Sequence, residues 1–272
     1  MPTVLVTGAS RGIGAATVNR LARAGWEVLG GVRDEASADA LRTRGVTPVL
    51  LDVTNADQIA ALPDALPDRL DAVVNNAGIA VGGPVEALDL DRLRTQFEVN
   101  VFGQVAVTQA VLPRLRESQG RIVFVSSVSG LVSAPMLGAY NASKYALEAL
   151  GDALRVELRP WKVAVSLVEP GSIDTDIWRK ADTTVDETEA SMSAEHRALY
   201  SGHVARLRKV IPRIQRTAAD AEKVAAVIEK ALTASRPRER YLVGVDARAQ
   251  MVAKRLLPTR AMDAALGKTV GT

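Results

Sequence analysis

The chain has 272 residues, of which 47% are hydrophobic and 24% charged, with 34 Lys and Arg against 31 Asp and Glu. That balance belongs to a globular protein able to bury a core without covalent staples, and it excludes disordered and fibrous chains. Cysteine is absent and only His196 and His203 represent histidine, which excludes disulfides, thiolate nucleophiles and Cys-ligated metal or iron–sulfur sites.

Aromatics make up 4% of the chain and the charges are interspersed, so no nucleic-acid partner is expected. No apolar run reaches the roughly 18–20 residues of a membrane helix. The first six residues lack the basic and long apolar regions of a signal peptide, and a cytoplasmic protein is expected.

From residue 3 to about residue 170, short apolar runs alternate with helix-like segments. Thr3–Val6, Glu27–Val32, Pro48–Leu51, Ala72–Asn75, Arg121–Val125 and Val163–Val168 are apolar at nearly every position, as in parallel strands covered on both faces. Between them Ala15–Ala24, Asp57–Leu62, Leu88–Arg116 and Ser143–Leu158 place apolar residues three and four apart. This alternation predicts one α/β domain over residues 1–272: a Rossmann-like, doubly wound parallel sheet of about seven strands with helices on both faces.

Residues from about 176 to 217 break the rhythm. Positions 181–195 carry five acids and no base, and positions 197–216 carry six bases and no acid. Two solvated helical faces account for this, as does a small helical lid over an active-site mouth. Beyond it, Ala218–Ala234 reads as a helix, Arg240–Gly244 as a strand and Asp246–Leu257 as a helix stopped by Pro258. Met251–Leu266, apolar and basic, is expected to pack on its own domain or a neighbouring subunit, without membrane association.

The first strand runs into Thr7-Gly8-Ala9-Ser10-Arg11-Gly12-Ile13-Gly14, and a helix follows directly. Glycines ahead of a helix N-terminus allow close backbone approach and leave N–H donors free, which suits a phosphate. The spacing differs from Gly-x-Gly-x-x-Gly, and no Gly-Lys-Ser/Thr follows, so a P-loop is excluded. Asn75-Asn76-Ala77-Gly78 ends the fourth strand, Asn100 lies in a helix-like stretch, and Ser126-Ser127 ends the fifth strand. Tyr140 and Lys144, four apart, share a helix face.

Through these motifs and Pro170-Gly171-Ser172-Ile173-Asp174-Thr175, the sequence resembles the short-chain dehydrogenase/reductase family in its compact single-domain branch, over about residues 1–180. The separation of thirteen from Ser127 to Tyr140 fits the family pattern too. The region around Glu169-Pro170-Gly171 and the long C-terminal extension look loosely like retinol and 17β-hydroxysteroid dehydrogenases.

The resemblance implies hydride transfer between a nicotinamide cofactor and an alcohol or carbonyl. Tyr140 would be the general acid/base, and Lys144 would favour its phenolate and hold the ribose. Ser127 would bind the substrate oxygen, and Asn100 would position a relay water. Gly8, Ser10, Arg11, Gly12, Ile13, Gly14, Asn76, Ala77, Gly78, Pro170, Gly171, Ile173 and Thr175 would line the cofactor, with Asp52 and Val53 at its adenine.

Counting twenty residues past Gly14 reaches Asp34, which points to NAD(H). The tip of the second strand, however, holds no acid, whereas Arg11 and Arg33 could clamp a 2′-phosphate; NADP(H) is therefore expected, with NAD(H) the alternative. Val81, Leu131, Val132, Met136, Leu137, Ile177 and Trp178 would form an apolar wall, suiting a small hydrophobic ketone, aldehyde or secondary alcohol. A homodimer or homotetramer is implied by resemblance, and a protein that only binds the nucleotide is disfavoured by the four catalytic-type residues.

Overall fold

A computed structural model describes residues 1–270. Seven parallel strands form a single sheet in the order β3-β2-β1-β4-β5-β6-β7. They are β1 (Thr3–Thr7), β2 (Glu27–Val32), β3 (Thr47–Leu50), β4 (Ala72–Asn75), β5 (Arg121–Val125), β6 (Ala164–Pro170) and β7 (Arg240–Val243). Successive side chains on a strand point to opposite faces, so each strand feeds two cores. Val4, Val6 and Val74 pack with Val18 and Leu21 of α1 (Gly12–Arg23) and Val224 and Ile228 of α10 (Ala221–Thr233). Leu5, Val73 and Phe124 face Leu62 of α3 (Ala56–Ala65), Val107 of α5 (Gly103–Ser118) and Leu147 of α6 (Gly138–Glu157).

The strand order reverses between β1 and β4, and ligands of such sheets bind at the carboxyl ends of strands flanking that switch. The glycine loop leaves β1 and the Asn76–Gly78 loop leaves β4, so the topology brings these two segments to the same crevice.

Three details depart from the sequence reading. Leu88–Arg116 is not one helix: α4 (Leu90–Phe97) passes through a π-helical turn at Glu98–Phe102 into α5. A short helix, α2 (Glu35–Arg42), lies between β2 and β3 and buries only Ala38 and Leu41. Pro258 does end α11 (Val245–Leu256), but α12 (Thr259–Val270) starts directly after it.

The irregular segment folds as α7 (Asp176–Arg179), α8 (Ala181–Ser191) and α9 (Ala194–Thr217). It has its own small apolar cluster of Val185, Val204 and Ile211, closed by Val270 of α12 and by Met136. Among the described residues no helix is long and apolar enough to cross a membrane.

Candidate active site

Gly8 adopts φ +65°, a left-handed conformation that glycine enters without penalty. Gly14 is required for contact: a Cβ there would stand 2.1 Å from the Gly8 carbonyl oxygen. Thr7 and Asn76 sew the two loops together. The Thr7 hydroxyl accepts from the backbone N–H groups of Asn76 and Ala77, each at 3.0 Å, while the Asn76 amide donates to the carbonyls of Thr7 (2.9 Å) and Gly8 (3.1 Å). No side chain caps the N-terminus of α1, so its first N–H groups remain available to an anion. Thr175 closes the far side, its Cγ2 lying 3.2 Å from where a Gly12 Cβ would be.

The β4 loop is held from below by a ladder that the sequence reading did not recognise. Gln96, Asn100, Gln104 and Thr108 recur every four residues, and all are buried at 0–3% exposure. Each serves alternate residues of the chain leaving β4. The Gln96 amide accepts from Val81 N–H (2.7 Å) and donates to the Ile79 carbonyl (2.9 Å). Asn100 accepts from Ile79 N–H (2.9 Å) and donates to the Ile79 carbonyl (3.0 Å) and to the Ser143 hydroxyl (3.1 Å). Gln104 donates to Ala77, and the Thr108 hydroxyl accepts from Asn75.

Two extended residues advance about 6.6 Å and four helical ones about 6 Å, so the two repeats run nearly in step. An α-helix would drift about 40° per four residues off that line, and the wider π turn subtracts from the drift. Amide and hydroxyl side chains at a strict spacing of four, Gln96, Asn100, Gln104 and Thr108, were the legible signal. The Asn100 amide is bonded to the Ile79 backbone and to Ser143 on α6.

On α6, Tyr140 and Lys144 lie one turn apart, with the Lys144 Nζ 5.8 Å from the centre of the Tyr140 ring. Lys144 is 4% exposed and donates to the Val125 carbonyl at 2.8 Å. Burial drives its ammonium down to about 8, against the opposing attraction of Glu148. Desolvation raises the Tyr140 phenol, while hydrogen bonding with the Ser127 hydroxyl pulls it the other way. The Ser127 hydroxyl also accepts from Ser129 N–H at 3.1 Å, which fixes it at the start of the turn after β5. Strand ends thus deliver Ser127, and one helix delivers both Tyr140 and Lys144, to the edge that carries the glycine crevice.

The remaining expected residues are placed as follows. Ser10, Arg11 and Arg33 are exposed around the crevice, Ile13 is half-buried, and Ile173 is buried in the core beside Ala219. Asp52 accepts from the N–H and hydroxyl of Thr54, and Val53 packs against Gly103. Gly171 lies against the Asp246 carboxylate, which accepts from Ser172 N–H at 2.7 Å. Asp34, the rival marker for NAD(H), caps α2 by accepting from Ser37 N–H at 2.7 Å, a bond that also holds its carboxyl below the usual range. Arg33 makes no ion pair among the described residues, whereas Arg11 pairs with Asp176 at 3.2 Å.

Val81 and Val132 are buried and Leu131, Leu137 and Trp178 half-buried, while Ile177 is 43% exposed on α7. Met136, at φ +65°, turns into the α8–α9 cluster and is not free to line a pocket alone.

The profile of the short chain dehydrogenase family matches residues 2–186. The chain belongs to that family. It is 37% identical over 269 residues to the uncharacterized oxidoreductase YbbO of Escherichia coli K12, covering 96% of this chain and 92% of that one. A 34% identity over 276 residues links it to the NADPH-dependent 3-dehydrocapnine reductase of Ornithobacterium rhinotracheale, covering 97% and 95%. Retinol dehydrogenase 5 of the mouse is 33% identical over 277 residues, covering 97% and 87%. Among solved structures, a short chain dehydrogenase from Burkholderia cenocepacia in complex with NADP superimposes with a TM-score of 0.78 at 26% identity, covering 97% of each chain.

Proposed function

We propose that this oxidoreductase passes hydride between NADP(H) and a hydrophobic ketone, aldehyde or secondary alcohol, with Tyr140 as the general acid/base. The observation that carries this reading is the desolvated Tyr140–Lys144 pair, with Ser127 beside the phenol, at the edge that holds an uncapped glycine crevice. The crevice fits a dinucleotide: space for a Cβ is denied at Gly14, and α1 offers its free N–H groups to a pyrophosphate.

NADP(H) is favoured over NAD(H) because Asp34 is committed to its helix cap while Arg33 and Arg11 lie exposed for a 2′-phosphate. The 3-dehydrocapnine reductase and the Burkholderia cenocepacia structure, whose names carry NADPH and NADP, support the same choice.

When bound, the nicotinamide supplies or accepts the hydride. Ser127 would hold the substrate oxygen, and Tyr140 would donate a proton to it during reduction. The raised phenol stays protonated near neutrality, so Tyr140 is prepared to give a proton. Lys144, charged below about pH 8, would orient the phenol and lower its demand for that proton as the phenolate forms. Asn100 acts as a positioning residue through Ile79 and Ser143. Helices α7–α9 would serve as the lid, with Val81, Leu131, Val132, Leu137 and Trp178 as the apolar wall.

Tyr140→Phe deletes only the hydroxyl. Turnover of ketones followed by NADPH absorbance should fall about 1000-fold, while fluorescence titration still shows the cofactor bound. Wild-type-like turnover would remove Tyr140 from the mechanism. The same titration with NADH should give affinity weaker by about tenfold or more, the worth of one charge-assisted phosphate contact.

A further inference from the structure

Lys144 is not the sole buried charge on its side of α6. One turn further lies Glu148, 5% exposed, and opposite it at the end of β6 lies Glu169, 1% exposed. Arg240 of β7 serves both: its Nε stands 3.1 Å from Glu148 Oε2 and 3.1 Å from Glu169 Oε1. The same guanidinium donates from Nη2 to Asp152 Oδ2 at 2.7 Å, and Asp152 also pairs with Arg155 at the protein surface. One guanidinium therefore faces three carboxyl groups, two of them cut off from water.

Two buried carboxylates in contact cannot both ionise beside a single cation, and the second charge is relieved by a shared proton. The Arg240 Nε–H donates to Glu148 Oε2, so Glu148 Oε1 and Glu169 Oε1, the latter 3.1 Å from the same nitrogen, have no hydrogen-bond donor among the described residues and are open to a shared proton. Burial raises both groups above the ordinary carboxylate range, and the neighbouring Glu148 pushes Glu169 further up. The groups that face the pair are Lys144 and Asp152 on α6, Arg240 on β7 and the uncharged Ser126 after β5. A purely adhesive role for this cluster is poorly served by such chemistry, since apolar side chains of similar volume would pack there without the desolvation cost of two carboxyls.

We propose that Glu148 and Glu169 share one proton and one negative charge, and that this charge keeps Lys144 as the ammonium that orients the reacting phenol. Both are positioning residues, and the role rests on the Tyr140–Lys144 reading above. The shared proton makes the device adjustable: the pair delivers one charge to Lys144, neither zero nor two. Glu148 is the nearer member, joined to Lys144 by one helical turn. Glu169 acts by claiming part of the proton. The two glutamates consequently have opposite effects on Lys144. Neutralising Glu148 removes the attraction, whereas neutralising Glu169 removes the competitor and leaves Glu148 fully charged.

The test reads Lys144 directly, in cofactor-free protein labelled with ¹³C at lysine Cε, with the resonance assigned by Lys144→Arg. Wild-type Lys144 should titrate near 8. Glu148→Gln should lower that midpoint by about one pH unit, and Glu169→Gln should raise it by a similar amount. Glu148→Asp should restore it, and the alkaline limb of the kcat profile should move with each variant. Shifts of the same sign in both Gln variants, or none, overturn the proposal.

Should Glu148→Gln not fold, Glu169→Gln decides alone: an upward shift supports the pair, and a downward or absent shift refutes it. Because the titration needs neither cofactor nor turnover, failure of the Tyr140 assignment shows in Tyr140→Phe kinetics and leaves the lysine result standing. A flat titration beside Tyr140-dependent turnover refutes the carboxyl pair only.

Discussion

Along α4 and α5, four polar side chains lie fully inside the protein, each matched to a backbone or side-chain group of the chain leaving β4. Along α8 and α9, the charged groups lie at the surface and meet in pairs, such as Arg208 with Asp186 at 2.6 Å and Glu189 at 3.0 Å. Both regions border the candidate site. A buried amide that satisfies two backbone groups is expensive to lose, because its partners cannot turn to water. An exposed ion pair is cheap to lose, because water replaces it. The first construction fixes the floor of the site; the second ties α8 to α9.

Asn100→Leu attacks the first construction at its centre. It removes three hydrogen bonds, strands Ile79 N–H in the interior and leaves the Ile79 carbonyl with Gln96 as its remaining donor. The expected loss is about 3 kcal/mol or more, which for a chain of this size lowers Tm by about 6–12 °C in calorimetry. Arg208→Ala, the matching lesion in α9, should change stability by less than about 1 kcal/mol. Comparable losses in the two variants would erase the contrast between the regions.

Lys144 sharpens the comparison, since a buried cation placed for chemistry weighs against stability. Its folded value lies near 8 against an ordinary 10.5. The unfolded chain therefore binds the proton more tightly, and the penalty is present throughout the range below 8. It fades between 8 and 10.5 as the folded ammonium deprotonates. Lys144→Met should accordingly abolish activity yet stabilise the protein at pH 7 by up to about 3 kcal/mol, with the gain vanishing near pH 11. Urea unfolding at the two pH values measures both; a loss of stability at pH 7 would show that the ammonium has stronger partners than the Val125 carbonyl and Glu148.

The sheet was legible because a parallel strand covered on both faces announces itself as an unbroken apolar run. Glu27–Val32, Ala72–Asn75 and Arg121–Val125 match the structure at both ends, and the other runs differ by one or two residues. The site motifs were legible because Gly8, Gly14, Ser127, Tyr140 and Lys144 are each tied to a strand end or a helix spacing.

What escaped depends on partners distant in sequence. The π turn at Glu98–Phe102 exists to keep Gln96, Asn100 and Gln104 aimed at the β4 loop, and nothing local encodes it. Met136, at φ +65°, packs with Val185 and Ile211, partners that no local spacing names. Arg240 stands 92 residues from Glu148, so no spacing reveals that it bridges the buried carboxyls.

The smallest expected effect tests where the two constructions touch. Arg11 of the glycine loop pairs with Asp176 at the start of α7, with the two side chains 58% and 33% exposed. As a surface pair it should add less than about 0.5 kcal/mol, so Asp176→Asn should leave Tm nearly unchanged. The carboxylate nonetheless competes with a 2′-phosphate for the same guanidinium. Its removal should tighten NADPH binding by up to about threefold, most clearly at low salt, while NADH affinity stays constant. Equal tightening for both nucleotides would mean that Asp176 acts through general repulsion of the pyrophosphate. Arg11 would then belong to the α7 contact, and Arg33 alone would carry the discrimination.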